Sequence, residues 1–227
     1  MMIIEHLAKV DSTNEYIKRY LKKRKDALVR ADEQTAGKGT KGRSFISQKG
    51  GLYLSKLTFH EGLAVKDAWS IMVDSAMAVV KTLLAFNVEP QIKWPNDIWV
   101  NGKKICGILI QNGFCGDMVD YSLVGIGVNV NNEIADEIKD IAVSLKQALG
   151  KEISVESFFL SLMLNFVSGS SIEDYKKFSA VLGKKITVTK GDIVYEAVAE
   201  DILNNGALKL INGELLYAGE VGLKVSL

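Results

Sequence analysis

The chain has 227 residues, of which 48% are hydrophobic and 24% are charged, a composition typical of a folded globular protein with one or two domains and an ample core. Its 28 basic and 27 acidic residues leave a net charge of +1, so no overall field favours binding to nucleic acid or to an anionic membrane. Two cysteines and two histidines without metal-site spacing predict free thiols, a soluble cytoplasmic protein and no structural metal.

The N-terminal segment predicts a strand at residues 3–10 and then a helix, because apolar residues recur at helical spacing from Tyr16 to Leu21. Between the two elements, Ser12 and Glu15 have the spacing of a capping box. Two interpretations of Ser12 are open. It caps a surface helix, or its hydroxyl faces a polar ligand.

A glycine-rich stretch follows, in which Gly37, Gly39 and Gly42 have the spacing of a dinucleotide-binding turn. Such a turn must open into a helix, whereas this one leads to the alternating strand Leu52–Phe59. We therefore predict a loop between strands whose amides and cations close over phosphate. The cations are Lys38, Lys41 and Arg43. The alternative is a solvated, mobile basic loop.

A β-hairpin is predicted around Asn101-Gly102, the dipeptide that best satisfies a type I′ turn, between strands at residues 97–100 and 105–110. Asp97 and Lys104 flank this turn and would bring a carboxylate and an ammonium group together at one end of the hairpin. Placing such a pair against apolar strands is costly for stability alone, which favours a functional site.

The remaining pattern predicts two domains. Helices are predicted at residues 64–86, 134–149 and 154–167, and a strand at residues 119–130 contains glycines that allow a close approach by a ligand or another backbone. From residue 183 onward the chain consists of short strands with hairpin turns. The predicted class is α+β, with helices on a mixed sheet at residues 1–180 and a small β-barrel at residues 181–227.

Several motifs resemble those of biotin protein ligases. The run Lys-Trp-Pro-Asn-Asp at residues 93–97, with Lys104 and Gly107 after it, is the most specific. The glycine loop and Asp-Ser-Thr-Asn at residues 11–14 match in order, as do residues 125–131 and Gly219-Glu220-Val221. The resemblance covers nearly the whole chain and implies a class II synthetase-like catalytic domain with an SH3-like barrel. With ten residues before Asp11, the helix-turn-helix module of longer members is not expected.

The resemblance implies a two-step reaction. Biotin and ATP give biotinyl-5′-AMP, which a lysine of a biotin carboxyl carrier protein then attacks. The implied catalytic residues are Lys104 and Arg43, which stabilise charge, and Asp97, a metal or phosphate ligand or a proton acceptor. The implied biotin-binding residues are Ser12, Thr13, Asn14, Gln34, Gly37, Lys38, Gly107 and Leu109. The implied adenylate-binding residues are Lys38, Gly39, Thr40, Lys41, Arg43, Asn96, Asp97, Lys104, Asn129, Asn131 and Lys224.

The same resemblance implies Mg²⁺ with ATP and Asp97 as its ligand. The net charge of +1, with no recognition helix expected before Asp11, predicts no partner among nucleic acids or membranes. The exposed strand edges of such domains also allow a homodimer. The glycine loop departs from the family, which usually has arginines where this chain has Lys38, Thr40 and Arg43. Lys38 keeps the positive charge but lacks the bidentate guanidinium group, and Thr40 has no charge. Two alternatives remain: a lipoate or octanoate ligase or transferase, which would need a narrow acyl slot, and a non-catalytic biotin-binding protein.

Overall fold

The computed structural model describes residues 2–218 and 222–225, so Gly219-Glu220-Val221 of the C-terminal match lie outside the described residues. The strands are β1 (Ile3–Leu7), β2 (Ala27–Ala31), β3 (Leu52–Phe59), β4 (Gln91–Lys93), β5 (Asp97–Val100), β6 (Lys103–Cys115), β7 (Met118–Val128), β8 (Lys185–Lys190), β9 (Ile193–Ile202), β10 (Leu208–Leu210), β11 (Leu215–Leu216) and β12 (Gly222–Val225). The α-helices are α1 (Thr13–Ile17), α2 (Ser70–Ala85), α3 (Leu145–Leu149), α4 (Val155–Asn165) and α5 (Ile172–Lys177).

A seven-stranded sheet forms the larger part of the fold, in the order β1-β2-β3-β7-β6-β5-β4. β1 and β2 pair in parallel and the other neighbours pair antiparallel. The long hairpin β6–β7 lies at its centre and projects beyond β5. The predicted α+β class with a mixed sheet is confirmed.

Helices cover both faces of this sheet. The apolar side of α2, including Val73 and Val80, packs with Ile126 and with α4 in the main core. On the other face, α1 contributes Ile17 to a smaller core with Leu57. Residues 65–85 are apolar and long enough to cross a membrane, but 61% of that apolar window is buried in the protein, as in the core helix of a folded domain.

The C-terminal strands form a second sheet in the order β11-β10-β9-β8-β12, which confirms a small C-terminal β domain. It contacts the larger part directly. The indole Nε1 of Trp94 donates to the carbonyl of Gly206 at 3.0 Å, and Lys176 Nζ lies 2.8 Å from Asp201 Oδ1. The division between residues 180 and 181 stays a prediction.

The helix predicted at residues 134–149 is wrong in its first part, since an α-helix is present only at Leu145–Leu149. The preceding segment pairs instead with the backbone of Lys104. The Lys104 N–H donates to the Ile141 carbonyl at 2.8 Å, and its carbonyl accepts from the Val143 N–H at 2.9 Å. Pairing with a strand that is distant in sequence and the low helix propensity of the β-branched residues here both act against a helix.

Candidate functional site

A cavity of about 830 Å³ lies on the face of the sheet that carries α1. Its lining comes from the turn before α1, the glycine loop, the strands β5 to β7 and the loop at residues 138–142. The predicted site residues that line it are Ser12, Thr13, Asn14, Gln34, Lys38, Gly39, Thr40, Arg43, Asn96, Asp97, Lys104, Gly107, Leu109, Asn129 and Lys224. Gly37, Lys41 and Asn131 do not line it. The fold therefore brings most of the predicted residues to one cavity.

One end of the cavity is a network of neutral polar side chains. The N–H and the hydroxyl of Thr13 both donate to Gln34 Oε1, at 2.8 and 3.0 Å. Gln34 Nε2 donates to Ser47 Oγ at 2.8 Å, and Ser55 Oγ donates to Thr13 Oγ1 at 2.9 Å and contacts Asn14 Oδ1. Because these groups fix one another, this end presents neutral donors and acceptors in set positions.

Ser12 does not form the predicted capping box. It occupies the N-cap position of α1, but its side chain makes no capping hydrogen bond. Its Oγ, and the Nδ2 of Asn14, are buried without a hydrogen-bond partner among residues 2–218 and 222–225. An unpaired buried polar group costs about 1–3 kcal/mol, so these two atoms favour the interpretation in which Ser12 faces a polar ligand.

The middle of the cavity is apolar, and two glycines leave room for the ring of Phe45. Gly107 and Gly127 are register partners on β6 and β7, and Phe45 packs against both. A Cβ on Gly127 would come within 2.7 Å of the Phe45 ring, and one on Gly107 within 3.2 Å. Phe45 is missing from the predicted site residues, although an aromatic side chain two positions after Arg43 is a signal that could identify it.

The other end of the cavity is charged. The predicted hairpin is present, and Asn101 and Gly102 both have the positive φ angles, 52° and 74°, that a type I′ turn needs. Next to this turn, Lys104 Nζ lies 2.6 Å from Asp97 Oδ1. The same ammonium group lies 5.7 Å from the centre of the Phe45 ring, where the apolar middle begins.

Lys93 is a further cation at the charged end, and it too is missing from the predicted site residues. It lines the cavity, and its Nζ lies 4.8 Å from the centre of the Trp99 ring. Burial lowers the pKa of Lys93, Asp97 opposes this shift, and the nearby cations lower the pKa further. Those cations are Lys104, Arg43 and Lys224. Several positive groups around one carboxylate make this end suited to binding phosphate.

The turn that precedes Asp97 is fixed by hydrogen bonds. The Asn96 side chain donates to the Ile108 carbonyl at 2.7 Å, and the Ile108 N–H donates to the Asn96 carbonyl at 3.0 Å. The buried hydroxyl of Tyr175 donates to the Pro95 carbonyl at 2.7 Å. Contacts to β6 and to α5 thus hold this turn and, with it, the position of Asp97.

Two loop cations have contacts that the predicted phosphate role does not include, although Lys38 lines the first cavity. Lys38 Nζ lies 2.7 Å from Glu15 Oε1, on α1. Lys41, which has a left-handed φ of 57°, lines a second, adjoining cavity. Arg43 does line the charged end, and its Nη2 donates to Thr40 Oγ1 at 3.2 Å.

A wall beside Lys104 is formed by the loop at residues 138–142, which the backbone of Lys104 holds in place. Asn129 lines the cavity here and donates to the Val143 carbonyl at 3.3 Å. The side chain of Asn131 instead bonds the backbone of Ile153 at 2.6 and 3.0 Å, so its contacts are structural.

No cluster of three or more His, Cys, Asp or Glu side chains in the described part of the chain could hold a metal ion. Asp97 contributes one carboxylate to the charged end, which fits Mg²⁺ that is carried mainly by nucleotide phosphates rather than by a protein cage. Cys106 and Cys115 are free thiols, as predicted.

Comparison with known proteins gives matches over most of the chain. The model of the Biotin/lipoate A/B protein ligase family matches residues 7–129. The Biotin--[acetyl-CoA-carboxylase] ligase of Paracoccus denitrificans is 30% identical over an alignment of 232 residues. The match covers 90% of this chain and 92% of that protein. The Bifunctional ligase/repressor BirA of Bacillus subtilis is 34% identical over 200 residues. The match covers 86% of this chain but spans only 58% of that relative.

A solved structure agrees with this match over the full fold. The biotin protein ligase from Aquifex aeolicus in complex with biotin and ATP superposes with a TM-score of 0.79 at 26% identity, and the match covers 99% of both chains.

Proposed function

Because the chain belongs to the biotin/lipoate A/B protein ligase family, we propose that it activates biotin with ATP as biotinyl-5′-AMP and transfers the biotinyl group to a lysine of a biotin carboxyl carrier protein. The name of the Paracoccus relative and the biotin and ATP bound to the Aquifex protein support this proposal. So does the chemistry of the cavity.

The observation that carries the proposal is the order of groups along one cavity: unpaired buried polar atoms, then an apolar middle, then cations. Biotin has the same order, with a ureido ring, an apolar sulfur ring and chain, and a carboxylate. Ser12 Oγ and Asn14 Nδ2 would pair with the ureido group, and Lys104 with the carboxylate. The volume of about 830 Å³ leaves room for a nucleotide beyond Lys104.

In the first step, a biotin carboxylate oxygen attacks the α-phosphorus of ATP, the bond to the β-phosphate breaks, and pyrophosphate leaves. Both reactants are anions, so the barrier falls if fixed cations lie where charge builds up. We assign this role to Lys104 and Arg43, supported by Lys93 and Lys224, all of which line the charged end. The adenosine would lie against Asn129 and the wall at residues 138–142.

In the second step, the acceptor amine attacks the acyl carbon, the bond from that carbon to the phosphate oxygen breaks, and AMP leaves. The amine must also lose a proton. We assign the acceptor role to the carboxylate of Asp97, because it lies at the charged end and the 2.6 Å contact with Lys104 keeps it oriented there.

We assign Mg²⁺ binding to Asp97, with Asn96 beside it, because one carboxylate together with substrate phosphates is an ordinary magnesium environment. The ion would neutralise phosphate charge during adenylation.

Lipoate is the main competitor as substrate, since the family name includes both acids. A lipoyl group has no ureido ring and would leave Ser12 Oγ and Asn14 Nδ2 unpaired, so these atoms favour biotin. A non-catalytic binder is disfavoured by the cation cluster around Asp97, which binding of biotin alone would not need.

Acid-dependent ATP–pyrophosphate exchange, measured with biotin, lipoate and octanoate, tests the proposal. We expect exchange with biotin and none above background with the other two. Transfer is then measured to a purified apo biotin carboxyl carrier domain, with the Lys→Arg form of that domain as control. Exchange driven by lipoate would refute the assignment of the acid.

We further propose that residues 1–180 and 181–227 are the two domains and that the protein acts in the cytoplasm. Assembly as a homodimer is part of the same proposal.

A further inference from the structure

A second cavity, of about 620 Å³, adjoins the first. It lies between the start of α2, the outer part of β6 and the turn at residues 94–96, and the C-terminal unit closes it with Asn205 and Ala218. The two cavities meet at shared residues, among them Lys93, Asn96 and Asp97. A ligand in the second cavity would therefore reach the charged end of the first.

The interior of this second cavity is mainly apolar. Its lining includes the apolar side chains of Trp69, Met72, Trp94 and Ile110. Its charged residues are cations except for Asp97, and one of them, Lys66, is exposed at the start of the segment that leads to α2.

We propose that the second cavity is the binding site of the acceptor lysine. Its aliphatic stem lies against Trp69, Met72 and Ile110, and its amine enters the first cavity beside Asp97. This inference rests on the proposed function. Four methylene groups need an apolar channel to be held extended, and the amine must arrive from a direction that the adenylate does not fill.

The charges around the junction favour the reactive form of that amine. A lysine attacks only when it is neutral, and neighbouring cations disfavour its ammonium form. Lys93, at the junction of the two cavities, already experiences this environment, since burial lowers its pKa and Lys104, Arg43 and Lys224 lower it further. The same positive field favours an acceptor protein with acidic residues around its lysine.

Two unpaired polar atoms fit a bound polypeptide. Trp69 Nε1 and Asn112 Oδ1 are buried without a hydrogen-bond partner among the residues that the structure describes, and both residues line the second cavity. One is a donor and the other an acceptor, the pair of groups needed to bond the carbonyl and the N–H of a peptide that flanks the acceptor lysine.

The test blocks the second cavity and leaves the first open. Asn112→Phe places a ring in the cavity and removes an unpaired atom, while Gln111→Phe puts the same ring on the exposed neighbouring position. Three rates are compared: biotin-dependent ATP–pyrophosphate exchange, formation of biotinyl hydroxamate with hydroxylamine, and transfer to an apo carrier domain. We expect Asn112→Phe to keep the first two within twofold and to lower transfer at least tenfold, with Gln111→Phe unchanged in all three.

A second pair of variants does not alter the core. Lys66→Glu should raise the KM for the carrier domain several-fold, more strongly at low salt, whereas Lys81→Glu, exposed at the far end of α2, should not. Equal transfer by the Asn112→Phe and Gln111→Phe proteins, or a carrier KM unaffected by Lys66→Glu, overturns the inference. So does a raised KM for pyrophosphate in exchange, because the cavity would then hold the leaving group.

The experiments distinguish failure of the proposed function from failure of the proposed acceptor site. A wild-type protein without biotin-dependent exchange would refute the ligase itself. Normal exchange with transfer unaffected by these variants would refute only the acceptor site.

Discussion

Lys104 Nζ lies 2.6 Å from Asp97 Oδ1, so the cation and the carboxylate of the hairpin are held together by the protein itself. If this ammonium stabilises charge between carboxylate and phosphate, Lys104→Ala should lower biotin-dependent pyrophosphate exchange by about two orders of magnitude or more, the usual loss for a preorganised group. The control is Lys146→Ala, which removes an exposed lysine that pairs with Glu152 outside both cavities. Equal exchange in the two variants would remove Lys104 from the mechanism.

Tyr175→Phe tests whether the hydrogen bond from α5 to the Pro95 carbonyl positions the turn before Asp97. It deletes the hydroxyl that bonds the Pro95 carbonyl and keeps the buried ring. A hydrogen bond of this kind is worth about 0.5–1.5 kcal/mol, so we expect kcat of adenylation to fall about threefold to tenfold while the KM for biotin stays constant. Tyr195→Phe, which loses a hydroxyl contact to Glu214 inside the C-terminal unit, should leave kcat unchanged. A change in stability without a change in kcat would make the bond merely structural.

The ion pair between Lys38 and Glu15 predicts a pH-dependent loop. Hydrogen bonds from Lys18 and then Lys38 lower the pKa of Glu15 below its ordinary 4.5, so the pair stabilises the folded loop above that pH and is lost as the pH falls through the lowered value. Glu15→Gln should therefore raise the rate of proteolysis at residues 36–45 at neutral pH.

Biotin with ATP should protect that loop again in both proteins, because the adenylate supplies the missing counter-charge. Identical cleavage of wild type and Glu15→Gln at pH 7, or cleavage unaffected by ligand, would count against this role of the loop.

Thr40→Arg is expected to slow dissociation of pre-formed biotinyl-adenylate. A guanidinium could make charge-assisted hydrogen bonds to the phosphate, each worth about 1.5–3 kcal/mol, and each 1.4 kcal/mol realised slows release about tenfold. Thr40→Val is the matched control, since it removes only the hydroxyl that accepts from Arg43. Lys41→Ala should speed release if Lys41 takes over the missing charge. An off-rate that neither Thr40→Arg nor Lys41→Ala changes would refute the assignment of the loop cations to phosphate.

Features set by local chemistry are predictable from this sequence. The Asn101-Gly102 turn fixes the hairpin, and β3 has the predicted bounds, residues 52–59, because alternation and turn residues mark both of its ends. Features that depend on distant contacts are not predictable in this way. Lys38 meets the carboxylate of Glu15 only in the folded chain, and Asn131 meets the backbone of Ile153 in the same way.

The incorrect first part of the helix predicted at residues 134–149 also results from a contact between residues that are distant in sequence. Nothing near residue 141 in the sequence indicates that its backbone pairs with Lys104. Phe45, by contrast, lies beside the glycine loop and Lys93 begins the motif at residues 93–97. For these two residues, only their exposure to the cavity depends on the fold.

The hydrogen bond from Trp94 to the Gly206 carbonyl makes the two units of the chain mutually dependent. Gly206 has a φ of 83°, and a Cβ there would come within 2.2 Å of the Trp69 ring, so the turn docks in a way that only glycine allows. A polypeptide that ends at residue 180 would expose this indole and lose the support next to Asp97. Expressed as two separate polypeptides, residues 1–180 and 181–227 should behave as a split enzyme, inactive alone and restored on mixing, with Gly206→Ala preventing the reconstitution.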